Sequence, residues 1–297
     1  MNSVRMPFVD GGLVARAIAA ATSLAGTLDL QVRDAVVIQN SNTLALRLLP
    51  CDVFARTALV GQRVAAFEVQ VAQALAAVTA PIASLDPRVE PRVYELDGFA
   101  VTFWTYYRSV ANRGSPPDYA NALHRLHAAM RNVQIAAPHF TERIAAAERL
   151  LTHRDETPAL VAGDRLMLLN ALRGAAQGIR SRVAADQLLH GEPHPGNLLS
   201  TSDGLLFIDF ETCCRGPVEF DVAHLPDDVS LLYRDIDQAL LQQCRRLVLA
   251  MVAAWRWDVR DELPNGHRHG RDIVRLLREG PPWPTLGALS AGSRNEH

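Results

Sequence analysis

Two short polar segments stand out in an otherwise apolar second half: His190-Gly191-Glu192-Pro193-His194-Pro195-Gly196-Asn197 and, after a Ser202-Asp203-Gly204 turn, Phe207-Ile208-Asp209-Phe210-Glu211. Phosphoryl transfer from a nucleotide needs a carboxylate to orient the acceptor hydroxyl and two further oxygen ligands to hold magnesium against the phosphates. Glu192, Asn197 and Asp209 are residue types suited to those three tasks. Glu192 and Asn197 share one Pro/Gly-shaped loop, and Asp209 ends a strand that a hairpin returns to the same edge, so the order predicts converging side chains. Two zinc chemistries fit less well. The adjacent Cys213 and Cys214 lack the two-residue spacer that brings both thiolates of a zinc deaminase to one ion. His190 and His194 enclose Glu192 in a Pro/Gly loop, not on the helix face that a His-Glu-x-x-His protease uses.

The elements that must position these residues follow from periodicity and turn chemistry. Gly11 to Leu28 is Ala-rich with helical spacing, and Ala35 to Ile38, Leu44 to Leu48 and Val53 to Thr57 read as short strands between turns. Gln62 to Ala77 is rich in helix formers, and Arg92 to Leu96 and Phe99 to Tyr106 flank Asp97-Gly98, a tight-hairpin signal. This predicts a small antiparallel sheet with a helix. From Pro116 the pattern changes to long Ala/Leu/Arg helices, over Asp118 to Asn132, Thr141 to Thr152 and Thr157 to Ala185. The two polar segments interrupt that run, with strands at Leu198 to Leu199 and Leu205 to Ile208, and helices resume near Val218, Ser230 and Gly270.

At 297 residues, with 48% hydrophobic and 21% charged residues, the chain is long enough to bury a core without disulfides or structural metal. A formal net charge of −2 gives no electrostatic reason to expect nucleic acid. The apolar run Leu13 to Leu24 is broken by Arg16 and Thr22, so no spanning helix is expected and a cytoplasmic location follows. The four cysteines match no disulfide framework or common zinc spacing and read as free thiols. All 30 basic residues are arginine, a compositional bias that bears on one position below.

The central pattern resembles the aminoglycoside phosphotransferase and choline kinase superfamily, whose motif is His-Gly-Asp-x-His-x-x-Asn followed by Ile-Asp-Phe/Trp. The resemblance implies an α+β, two-lobed protein-kinase-like fold: a small antiparallel-sheet nucleotide lobe over residues 1–103, a hinge over 104–108, and a mainly helical lobe over 109–297 carrying the catalytic and metal-binding loops. It implies magnesium, with ATP or GTP as donor and a small-molecule hydroxyl as acceptor. Carried over, Glu192 stands at the catalytic aspartate, Asn197 and Asp209 at the magnesium ligands, and His190 and His194 at positions that shape the loop. Asp221, after Gly216-Pro217, matches the aspartate that braces the loop. Ser41 and Asn42 lie in the hairpin that covers the phosphates, Arg56 at the phosphate-pairing lysine, Glu68 at its partner, and Trp104 and Tyr106 in the hinge that receives the base.

Glu192 and Arg56 depart from the family's aspartate and lysine. Glutamate keeps the charge and extends the reach by one methylene, and a lysine-free composition accounts for Arg56. Two readings follow. One is an active small-molecule kinase acting on an alcohol group, by direct in-line transfer; the other is a nucleotide-binding pseudokinase that serves as scaffold or regulator.

Overall fold

The computed structural model describes residues 11–41, 43–61, 64–110, 114–182 and 185–287. The chain divides into two compact units. One comprises the described residues of Met1–Arg113 with Val133–Ile135 and Leu199–Glu211; the other comprises those of Gly114–Asn132, Ala136–Leu198 and Thr212–His297.

The first unit is built on an antiparallel sheet of order β1-β2-β3-β5-β4, with β1 Val32–Asn40, β2 Leu44–Pro50, β3 Val53–Leu59, β4 Tyr94–Leu96 and β5 Phe99–Thr105. Helix α1 (Gly11–Thr27) lies on this sheet through Ala17, Ala20, Ala21 and Ala25, and these small side chains let it approach Leu44, Leu46, Leu48, Val53, Ala55 and Phe103 closely. The period-2 alternation of β3 turns Val53 and Ala55 into that core and Arg56 onto the other face, where α2 (Val64–Ala76) presents Glu68. Asp97 and Gly98 take φ of 51° and 84°, the left-handed pair that a two-residue hairpin between β4 and β5 requires. The expected start of the helix at Gln62 lies outside the described residues.

In the second unit, α3 (Pro116–Met130) starts two residues before the expected Asp118. Ser115 caps it in a reciprocal capping box with Asp118, and prolines are tolerated in a first turn whose N–H groups have no helical partner. After α4 (Phe140–Thr152), the expected helix from Thr157 to Ala185 is shorter: α5 covers Ala162–Arg180. Residues 153–161 instead form a 3₁₀ turn and loop whose carbonyls the buried Arg165 gathers, donating to Thr157 Oγ1 (2.6 Å), Thr157 O (2.9 Å) and Leu160 O (3.2 Å). The long helix α8 (Gln238–Trp255) packs against α5, with Leu247, Ala250, Met251, Ala253 and Ala254 buried, and α9 (Gly266–Glu279) lies against both. The short α6 (Val218–Val222) packs on α8, and α7 (Asp227–Ser230) packs on α3; the helix expected near Ser230 ends there, and the next begins at Gln238. A two-stranded ladder of β6 (Gln187–Leu189) and β9 (Cys214–Gly216) was not expected from the sequence. The expected interruption is a 3₁₀ turn, Pro195–Asn197, followed by the hairpin β7 (Leu198–Thr201) and β8 (Gly204–Phe207), which from Leu199 on belongs to the first unit. Among the described residues no helix is long and apolar enough to cross a membrane.

Candidate active site

In the second unit, the loop from His190 to Asn197 is held from below by one carboxylate. Asp221 on α6 is fully buried; its Oδ2 accepts the His190 N–H (2.8 Å) and lies 2.9 Å from His127 Nε2, and its Oδ1 accepts the Gly191 N–H (2.8 Å). Burial works against its charge, but the hydrogen bond and attraction of His127 keep it below the ordinary aspartate value. His127 Nδ1 in turn meets Tyr233 Oη at 2.6 Å, so a buried chain of polar groups runs from α3 to the loop. Gly191 takes a φ of +90°, and a Cβ there would stand 2.0 Å from the Thr212 carbonyl oxygen. No other residue fits. Tyr119 Oη donates to Pro193 O, and Asn197 Nδ2 donates to Glu192 O at 3.0 Å, closing the loop on itself. His194 caps the 3₁₀ turn by accepting the Gly196 N–H on Nδ1 (3.0 Å).

Glu192 is half-buried and points to Arg143 on α4, whose guanidinium donates to its carboxylate and, at 2.9 Å, to the Gly191 carbonyl. Burial would raise its pKa, but the adjacent Arg143 charge prevails and holds the carboxyl below the usual glutamate value. His224, buried beside it, donates from Nδ1 to Phe220 O (2.9 Å). Burial pushes its imidazole down to about 4.

The low His224 value has a pH signature. The neutral ring is favoured in the folded chain, so its contribution is intact above the ordinary value of 6.5 and is lost as pH falls from there toward 4. Between pH 7.5 and 5 the wild type is expected to lose about 2 kcal/mol more unfolding free energy than His224→Asn, read by urea denaturation. Glu68, pushed up to about 7 by burial, gains stability over the same window, so the difference from the variant is the readout. A pH-independent difference would contradict a buried neutral His224.

In the first unit, Arg56 bridges two carboxylates: it contacts Glu68 Oε1 directly and Asp209 Oδ1 at 3.5 Å. Its guanidinium is held above the ordinary arginine value, the Glu68 and Asp209 charges outweighing burial. Glu68 also accepts the Phe210 N–H (3.2 Å), which ties α2 to the Asp209 segment. Backbone bonds of residues 81–83 to Phe207, Phe207 N–H to Pro81 O (2.9 Å) and Ala83 N–H to Phe207 O (3.0 Å), place the end of β8, and Asp209 then turns in the left-handed region at φ 67°. Arg56, Glu68, Glu211, Thr43 and Thr102 line an open recess in this unit.

Ser41 begins the β1–β2 turn, its N–H donating to Thr43 O (3.2 Å), while Asn42 lies outside the described residues. Trp104 is buried in β5 with its indole N–H on Thr102 Oγ1 (2.9 Å); Tyr106 follows the strand, half-buried, with the Arg47 guanidinium 4.1 Å from its ring centroid. The acidic residues Glu219 and Asp227 have local partners, the Asp237 N–H and Arg245 respectively. Among the described residues no three His, Cys, Asp or Glu side chains cluster as a metal cage. Sequence reasoning missed Arg143, His127, Tyr119, His224 and Tyr233; the first three lie far before the motif in the chain, and none of the five belongs to a local pattern of its own.

The antiparallel sheet with its helix, the helical unit and the braced loop define a protein-kinase-like α+β fold. The chain belongs to the phosphotransferase enzyme family, whose model matches residues 37–265, and its class is small-molecule phosphotransferase. No curated protein matches the sequence as a relative. Among solved structures it is similar to the amicoumacin kinase hAmiN in complex with AMP-PNP and Ca2+ (11% identity, 93% of this chain and 98% of that one, TM-score 0.68). It is also similar to aminoglycoside phosphotransferase APH(4)-Ia with ADP and hygromycin B (11%, 88% and 98%, 0.64) and to a choline/ethanolamine kinase family protein from Mesorhizobium loti (15%, 91% and 96%, 0.60).

Proposed function

We propose that this protein transfers the terminal phosphoryl group of ATP or GTP to a hydroxyl of a small molecule, such as an aminoglycoside-like antibiotic, a sugar, an amino alcohol or another metabolite. The observation that carries the reading is the braced loop: Asp221 fixes the backbone at His190 and Gly191 while Glu192 is kept ionised above it. Family membership and the nucleotide complexes of hAmiN and APH(4)-Ia support a nucleotide donor. Glu192 orients the acceptor hydroxyl and takes its proton as the O–P bond forms, and the terminal phosphoryl group moves in line, leaving the nucleoside diphosphate with no covalent enzyme intermediate.

Arg56 steadies the phosphates, with Glu68 fixing its direction; Ser41, Trp104 and Tyr106 are assigned to the nucleotide. Asp209 and Asn197 are assigned as magnesium ligands, and their chemistry fits. The Asp209 side chain is one-third exposed and its ion pair with Arg56 is long, at 3.5 Å, and donation by Asn197 Nδ2 leaves Oδ1 as the coordinating atom. A carboxylate and an amide oxygen suit a hard cation whose remaining positions are filled by water and phosphate. When bound, magnesium neutralises phosphate charge. The test is thermal unfolding with each nucleotide in magnesium and in EDTA: saturation at 100 times the dissociation constant adds roughly 2.7 kcal/mol. A magnesium-dependent rise in Tm is expected; no rise at millimolar nucleotide would overturn the reading.

A further inference from the structure

The departure from aspartate at position 192 has a counterpart 49 residues upstream. Arg143 grips the loop at two points, the Glu192 carboxylate and the Gly191 carbonyl. Its guanidinium lies 5.3 Å from the Trp255 ring centroid and 5.7 Å from that of Phe220, so aromatic groups from α8 and α6 keep it in place. The backbone beneath Glu192 cannot move to follow a shorter side chain. Asp221 holds the two preceding N–H groups, Gly191 is packed against the Thr212 carbonyl, and Glu192 O and Pro193 O are bound by Asn197 and Tyr119. With both ends fixed, the side chain that joins them must have glutamate's length. An aspartate would withdraw the carboxylate by roughly 1.5 Å, one C–C bond.

We propose that Arg143 is a positioning residue matched to Glu192, so that this site works with glutamate and the family's aspartate does not replace it. The proposal rests on the phosphotransfer reading above. Arg143 acts through Glu192, setting where the carboxylate meets the acceptor hydroxyl. Misplacing a catalytic group by about 1 Å costs on the order of a hundredfold in rate, which sets the scale of the expected effect.

The experiment is a double-mutant cycle of wild type, Arg143→Met, Glu192→Asp and the pair, with Arg143→Lys as the conservative variant. Transfer from labelled ATP and GTP is measured on a panel containing hygromycin B and choline, and each protein is also melted with magnesium-nucleotide. Expected are losses of kcat of about 10²-fold for Glu192→Asp and about 10- to 100-fold for Arg143→Met, with the nucleotide KM within about twofold. The double variant should lose little more than the worse single one, because the two residues act as a unit. Arg143→Lys should recover part of the rate, since it restores the charge without the fork. Glu192→Asp as active as wild type, losses that multiply, or a lower Tm with kcat unchanged would overturn the proposal. The failures are separable: nucleotide stabilisation retained in all variants shows an intact donor site, whereas a wild type that transfers nothing overturns the phosphotransfer reading and the role of Arg143 with it.

Discussion

Asp209→Asn is expected to lower phosphoryl transfer by at least about 10³-fold while leaving the protein folded. Loss of a single preorganised charge contact to a transferring group costs on the order of 10²- to 10³-fold, and here the anionic oxygen assigned to magnesium is removed as well. The fold should not notice. The Asp209 carboxylate is one-third exposed and its ion pair with Arg56 is long, at 3.5 Å, while the left-handed backbone at this position is one that asparagine adopts readily. Steady-state kinetics beside urea denaturation checks both halves, and the unfolding free energy should change by no more than about 0.5 kcal/mol. A variant that keeps both turnover and magnesium-dependent nucleotide binding would remove Asp209 from the site.

Asp221→Ala carries the largest expected effect on stability, a loss of about 3–5 kcal/mol. The carboxylate is inaccessible and serves three partners, the N–H groups of His190 and Gly191 and the His127 ring. Alanine would strand all three in the interior, each with its desolvation uncompensated. Asp221→Asn should cost less, because its amide oxygen still accepts from one of them. Denaturation followed by tryptophan fluorescence ranks the three proteins; an alanine variant within about 1 kcal/mol of wild type would show that the loop is held by something other than this carboxylate.

How far the sequence was legible depended on the range of the interaction. The Asp97-Gly98 hairpin, the β1 to β3 meander and α1 were readable because alternation, turn residues and Ala spacing are local; β1 to β3 run a few residues longer than expected, while α1, β4 and β5 are one or two residues shorter. The chemical segments stood out because their residue types are unusual and occur in order. Long-range pairing was not. Arg143 lies in Thr141-Glu142-Arg143-Ile144, where helical spacing makes it one more surface arginine, yet it ends against Glu192 and two aromatic rings. His127, in an Ala/Leu helix, carries no sign that its ring will meet Asp221 and Tyr233. The three-residue strands β6 and β9 are too short to show a period, and α5 starts late where the Arg165 side chain collects the Thr157 and Leu160 carbonyls that a continuous helix would have used itself.

The most direct test of the account is transfer of label from the terminal phosphate of ATP and GTP, with magnesium, to a mixed panel of aminoglycosides, sugars and amino alcohols, run beside Asp209→Asn. A labelled acceptor formed by the wild type, dependent on magnesium and absent with the variant, is the predicted result. Nucleotide that binds and stabilises the wild type while no label reaches any acceptor would contradict it and leave a nucleotide-binding scaffold as the reading of this chain.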